Sequence, residues 1–207
     1  MATTILLHAT HSAKVGSIMA HGFRVSKHTK RGTAYDDDGI TIDERRLEAY
    51  MQSEQTLEKV RQEVRPDLPS RLYSVFFQFP ESNEWFEDSR AARVSEDAMG
   101  RPKYDFGCGR DVVLVIDAAR ISVQGAIGDN ALSDEVFRIY WCQQLERKAE
   151  LEDPVERARK FWENSKPFDV TADYPEGLEF PEIWYPGVIP PRVVVQRYDS
   201  NHPLPSR

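Results

Sequence analysis

Cysteine is scarce: only Cys108 and Cys142 occur, and they share no paired motif. A disulfide framework is excluded, and a reducing cytoplasm fits better than secretion. Long apolar runs are missing too. None approaches the roughly 20 residues of a membrane span. The short apolar stretch in MATTILLHATHS has no charged region before it and no cleavage site after it. The expectation is a soluble cytoplasmic protein without a membrane partner. No glycine-rich loop follows a strand, which leaves Rossmann and P-loop nucleotide binding unsupported. His8 and His11 are three apart, but no carboxylate or thiol cluster accompanies them, so no metal is expected.

Acid is absent from residues 1–35, although the whole chain carries a net charge of −7. That opening stretch holds Lys14, Arg24, Lys27, Lys30 and Arg31, with His8, His11, His21 and His28. Bulk charge disfavours nucleic acid, yet the basic start could draw a dinucleotide pyrophosphate or a short single strand. A solvated basic face would look the same.

Linkers and repeats are also lacking. The 207 residues are 40% hydrophobic, enough for one core. One domain over residues 1–198 is expected, with 199–207 as a disordered tail.

Ile5-Leu6-Leu7 reads as a buried strand. Ser12 can cap a following helix with Val15, Ile18 and Met19 as its stripe, and Gly22 can stop it. Residues 26–42 read as loop. Asp43 can cap a long helix to about Val64, with Leu47, Tyr50, Met51, Leu57 and Val60 on one side, and Arg65-Pro66 ends it. LYSVFFQF, residues 72–79, predicts a strand rich in aromatic residues, and Ser82 can cap a helix through Trp85 and Phe86. Residues 99–110 read as a loop, 112–116 as a buried strand and 125–130 as a loop. Ser133 opens a helix, and Asp153-Pro154 starts another. Residues 165–181 read as loop, Ile183-Trp184-Tyr185 as a strand, and Val193 to Val195 leads to the last strand. Strands and helices mix without regular alternation, which predicts an α+β fold with a mostly antiparallel sheet.

His8 and Thr10 are two apart at a strand end and so share a face. An imidazole and a hydroxyl there suit a ribose or a carboxamide, although such a pair is often structural. Glu182 opens the strand EIWYPG. A carboxylate at a strand end can stabilise a sugar cation, whose transition state resembles an oxocarbenium ion; taken alone it is one of 34 acids. Ser82 and Trp85 are three apart and share a helix face, which suits a flat aromatic amide. Phe76, Phe77 and Phe79 read individually as core. Arg45 and Arg46 diverge on their helix, so one can point inward.

In this order the pieces resemble a family. LLHATHSAKVGSIMAHGFRVS is similar to the opening of ADP-ribosyltransferases of the diphtheria-toxin and poly(ADP-ribose) polymerase type. YSVFFQFPESNEW resembles their strand–helix unit, and PEIWYPGVIPPRVVV their terminal unit. Within that superfamily the ERR of residues 44–46, GDNALSDEVFRIY and EIWYPGVIPPRVV are similar to the DarT type, which modifies bases of single-stranded DNA.

The resemblance implies a split, mostly antiparallel sheet with flanking helices. It implies an NAD-dependent transferase that breaks the nicotinamide–ribose bond, with NAD as substrate and no metal. His8, Ala9 and Thr10 would hold the ribose and carboxamide beside Gly22. Ser82 and Trp85 would flank the nicotinamide. Arg46 or Arg45 would meet the pyrophosphate or assist proton transfer, and Glu182 would be catalytic. Tyr73, Phe76 and Trp85 compete for the middle aromatic role, and Phe77 would line the pocket. Phe180, two before Glu182, stands where arginine-modifying members carry a second acid. The implied setting is a toxin–antitoxin or antiphage system, with single-stranded nucleic acid and an antitoxin of ADP-ribosyl-hydrolase or inhibitory function as partners. NAD hydrolysis, or an inactive binding module of the same fold, are the alternatives.

Overall fold

A computed structural model of the chain describes residues 4–25, 44–79, 93–96, 102–104, 110–146, 153–171 and 175–199. Along the chain run β1 (Ile5–Thr10), α1 (Ser12–His21), α2 (Glu44–Val64), β2 (Ser74–Gln78), β3 (Arg93–Glu96) and β4 (Pro102–Tyr104). They are followed by β5 (Val112–Asp117), β6 (Ala126–Asp129), α3 (Asn130–Gln144), α4 (Pro154–Asn164), β7 (Lys166–Pro167), β8 (Pro181–Pro186) and β9 (Val194–Tyr198). The fold is α+β. Seven strands form one antiparallel sheet in the order β7-β6-β8-β2-β1-β5-β9, and β3 pairs with β4 separately.

Pairing is uneven across this sheet. β1 and β5 are in register from Ile5↔Asp117 to Thr10↔Val112, and β2 and β8 from Ser74↔Pro186 to Gln78↔Glu182. Between β1 and β2 the register holds a single pair, Leu7↔Gln78. A seam therefore divides the sheet into a β7-β6-β8-β2 half and a β1-β5-β9 half.

Side chains alternate across a strand, so each strand feeds two cores. On one face Leu6, Val75, Phe77, Leu114, Ile127, Ile183 and Tyr185 pack with Val15 and Ile18 of α1. On the other, Ala126 and Trp184 pack with Leu57 and Val60 of α2, Val136 of α3, and Ala158, Phe161 and Trp162 of α4. Ile5, Leu7, Ala9, Val113, Val115 and Tyr198 form a third cluster.

Gly22 stops α1 as its position predicts. Its N–H donates to the Ile18 carbonyl at 2.7 Å with φ +79°, and a Cβ would lie 2.3 Å from the Ile189 carbonyl oxygen. Only glycine meets both demands. Asp153 caps α4, accepting the Val155 N–H at 2.9 Å, with Pro154 in the first turn.

Other expectations are corrected. Residues 125–130 are not a loop: Ala126–Asp129 is the buried strand β6, laid from Ala126↔Trp184 to Asp129↔Pro181. AIGD is short and half turn-like, so its strand character comes from pairing with β8. Helix α3 opens at Asn130, capped by Asp129, not at Ser133. The stretch 165–181 contains β7, and 99–110 contains β4. The aromatic strand is shorter than predicted, because residues Arg71–Tyr73 turn as a 3-10 helix first. Ser12 is the first helical residue of α1, with His11 at the cap position and no side-chain cap bond. Met19 is 48% exposed, outside the buried stripe. Asp43, the helix expected at Ser82 and residues 200–207 lie outside the described residues; Asp199 is buried. Among the described residues no helix is long and apolar enough to cross a membrane.

Candidate active site

Glu182 is positioned from both sides of its strand. Ahead of it, Asp129 accepts the N–H groups of Ala131 at 3.1 Å and of Glu179 and Phe180 at 3.0 Å. The Asn130 N–H donates to the Phe180 carbonyl at 2.8 Å. The helix cap thus also ties down the entry to β8. Beside it, Gly128 is the cross-strand neighbour of Glu182. A Cβ on Gly128 would lie 2.6 Å from the Ser165 hydroxyl oxygen and 2.9 Å from the Phe161 ring, so α4 packs onto bare backbone there.

Alternation along β8 sends Ile183 and Tyr185 to the α1 face, and Glu182 and Trp184 to the face covered by α2, α3 and α4. There Glu182 Oε2 accepts a hydrogen bond from Arg71 Nη1 at 2.8 Å, with the Glu182 side chain 15% exposed. The other edge of Arg71 faces a second carboxylate, with Nη2 lying 3.6 Å from Glu54 Oε1 of α2. The guanidinium also lies 4.8 Å from the ring centre of Phe76, 5.1 Å from Phe161 and 5.5 Å from Trp184. Such rings favour a desolvated cation.

Electrostatics follow from this packing. Burial opposes the charge on Arg71, but Glu54, Glu182 and Tyr50 outweigh it and hold the guanidinium more firmly protonated than usual. Burial pushes the Glu54 carboxyl up, and Arg71 offsets this only in part. Glu54 Oε2 and Arg71 Nε have no hydrogen-bond partner among the described residues.

His8 is treated differently. Its Nδ1 lies 3.0 Å from the Phe76 carbonyl, which can only accept, so Nδ1 carries the proton and Nε2 the lone pair. The ring meets Phe23 and Phe77 at centroid distances of 5.0 and 5.7 Å. Burial lowers its pKa to about 4; the hydrogen bond to Phe76 opposes the shift, while Arg110 and Lys14 add to it. The imidazole is neutral at pH 7. Thr10, two residues on, is buried at the end of β1.

The sheet brings these groups close without setting them face to face. Leu7, Gln78 and Glu182 form one cross-strand row, and paired residues share a face. His8 is one residue out of that row. Its ring packs on the α1 face, while Glu182 points to the helix-layer face, with exposed Gln78 on the strand between them. Ala9 packs with the cluster of Leu7, Val113, Val115 and Tyr198.

The remaining candidates disperse. Phe77 is 1% exposed and belongs to the core, while Tyr73 is 61% exposed. Arg45 and Arg46 are both exposed in the first turn of α2. Gly22 serves the end of α1. Ser82 and Trp85 lie outside the described residues. Sequence reasoning missed Arg71 and Glu54. Glu54 had a signal: it falls three residues before Leu57 and seven after Leu47, an acid inside the apolar stripe of α2. Arg71 had only its place just before the aromatic strand.

A shallow groove of about 270 Å³ lies along Gln52, Gln55, Thr56, Lys59 and Tyr140, none of them a candidate residue. Among the described residues no group of three or more His, Cys, Asp or Glu side chains is arranged to hold a metal ion. Compared with known proteins, the chain matches no family model and no curated protein.

Proposed function

We propose that the chain is an NAD-dependent ADP-ribosyltransferase with Glu182 as its catalytic carboxylate. The observation that carries this reading is the setting of Glu182: a carboxylate at the start of β8, partly exposed and gripped by Arg71 at 2.8 Å. A fixed negative charge lowers the energy of an oxocarbenium-like ribose. The C1′–N bond to nicotinamide breaks, and its electron pair leaves with the nicotinamide. An acceptor then attacks C1′ and gives up its proton. The likeness of the ERR of residues 44–46, GDNALSDEVFRIY and EIWYPGVIPPRVV to the DarT type favours a nucleobase of single-stranded DNA as acceptor, in a toxin or antiphage setting with an antitoxin partner. His8, neutral and with Nε2 as an acceptor, suits a ribose hydroxyl. Its ring lies on the opposite face of the sheet from Glu182, so the two do not meet one ligand from the same side.

Labelled NAD incubated with separate DNA, RNA and protein pools tests the reading, with Glu182→Gln as control. Label is expected on single-stranded DNA. The variant should lose at least about 100-fold of the rate, the scale of removing a dominant charge from such a transition state. No label on any pool and no nicotinamide released would sink the proposal. Free ADP-ribose without labelled macromolecule would make the chain an NAD glycohydrolase. A biological effect unchanged by Glu182→Gln would make it a binding module.

A further inference from the structure

We propose that Glu54 tunes Glu182 through Arg71: two carboxylates reach one buried guanidinium, and the charge on Glu54 sets how firmly that guanidinium holds Glu182. The inference rests, for its catalytic meaning, on Glu182 being the working carboxylate.

The two contacts are unequal. Arg71 Nη1 is within hydrogen-bond distance of Glu182 at 2.8 Å, while Nη2 is 3.6 Å from Glu54, beyond it. Arg71 and Glu54 side chains are only 7% and 5% exposed, so water screens neither. One oxygen of Glu54 and one nitrogen of Arg71 lack partners among the described residues. The site is therefore under-satisfied on the Glu54 side. When Glu54 is neutral, the field of Arg71 falls on Glu182 alone. When Glu54 ionises, Arg71 is shared and the two carboxylates repel each other.

Nearby groups leave this coupling to the trio. From α2, Tyr50 acts on Arg71, and Glu58 adds a repulsion that raises Glu54 further. Glu58 is itself engaged by Arg61 at 2.8 and 3.0 Å and by the Ser70 hydroxyl at 2.7 Å. From α3, the Tyr140 hydroxyl is bonded to Thr56 at 2.7 Å. Phe161 of α4 and Trp184 of β8 present rings. Burial, the largest influence on Glu54, pushes its ionisation above that of an ordinary carboxyl.

The test is a pH titration of the full chain with carbon-13 at the glutamate carboxyls, the Glu182 signal being assigned by its loss in Glu182→Gln. The Glu182 signal is expected to carry an upper step, above the ordinary carboxyl range, where Glu54 ionises. Glu54→Gln should abolish the upper step. Glu54→Met, which fills the same space without a polar group, should do the same and guards against a poorly folding glutamine variant. A Glu182 signal without that upper step, or with one unaltered in the folded variants, overturns the inference. This readout needs no catalysis. The upper step in a protein that releases no nicotinamide would sustain the coupling and count against the transferase reading. If nicotinamide is released, the pH profile of kcat should lose its upper inflection in Glu54→Gln while KM for NAD stays unchanged.

Discussion

On the β1 side of the seam, half-buried His8 is held neutral; on the β8 side, Glu182 is gripped by the buried guanidinium of Arg71. The two solutions sit on adjacent parts of one sheet and have opposite weaknesses. A neutral imidazole with its Nδ1 proton bonded to a carbonyl costs little until acid forces a second proton onto it. An ion cluster carries a desolvation cost while its members are charged, and losing one partner leaves the others stranded. The first half should therefore fail with pH, and the second with mutation.

The largest effect is expected from Arg71→Met. Without the guanidinium, Glu54 and Glu182 would confront each other in a poorly hydrated layer. Urea denaturation at pH 7 should show a loss of about 3–5 kcal/mol. Burial already raises Glu54, so the penalty should shrink as pH falls and Glu54 protonates. An equal loss at pH 4 and pH 7 would contradict the ion-cluster account.

The next effect belongs to His8. Its folded pKa of about 4 lies below the unfolded value near 6.5. Between those values the unfolded chain binds more protons, so stability rises with pH. The contribution is fully present above about 6.5 and is lost as pH falls toward 4, amounting to about 3 kcal/mol. Subtracting the stability curve of His8→Asn, which keeps a donor for the Phe76 carbonyl, should isolate this slope. Parallel curves for the two proteins would show that His8 does not change its protonation on folding.

A smaller effect sharpens the β8 half. Asp129→Ala removes a helix cap and two bonds to the entry of β8, for a loss of about 2 kcal/mol. Thermal unfolding should register it. If the proposed transferase reading holds, nicotinamide release should fall more than that loss alone explains, because the support of Glu182 is released. A rate unchanged at a temperature where the variant is fully folded would show that the clamp serves stability only.

Most of the fold's outline was legible where local pattern and tertiary role agree. The buried runs at Ile5 and Val112, the Gly22 stop and the Asp153-Pro154 start all carry their reasons within a few residues. β6 was not legible. Gly128 and Asp129 read as turn, and their actual work is to admit the Phe161 ring and to cap α3 while holding Phe180. The cap is local, but the Phe161 and Phe180 contacts come from more than thirty positions away. At the site, His8 and Glu182 stood out by chemistry and strand position. Arg71 did not, since nothing local marks an arginine destined for burial among Phe76, Phe161 and Trp184. Arg45 and Arg46 drew attention through the likeness of ERR to the DarT type and because adjacent helical residues diverge, yet both prove exposed.

The seam at Leu7 and Gln78 has a further consequence for how the chain comes apart. With one registered pair across it, the two half-sheets look like separable pieces. The thread denies this. The backbone enters in β1, crosses to β2, returns to β5, crosses again for β6, β7 and β8, and ends back in β9. Neither half is a continuous stretch, so no cut yields one without taking strands from the other. Connectivity supplies the cohesion that the missing ladder does not, and a single cooperative transition is the expected signature of that weave.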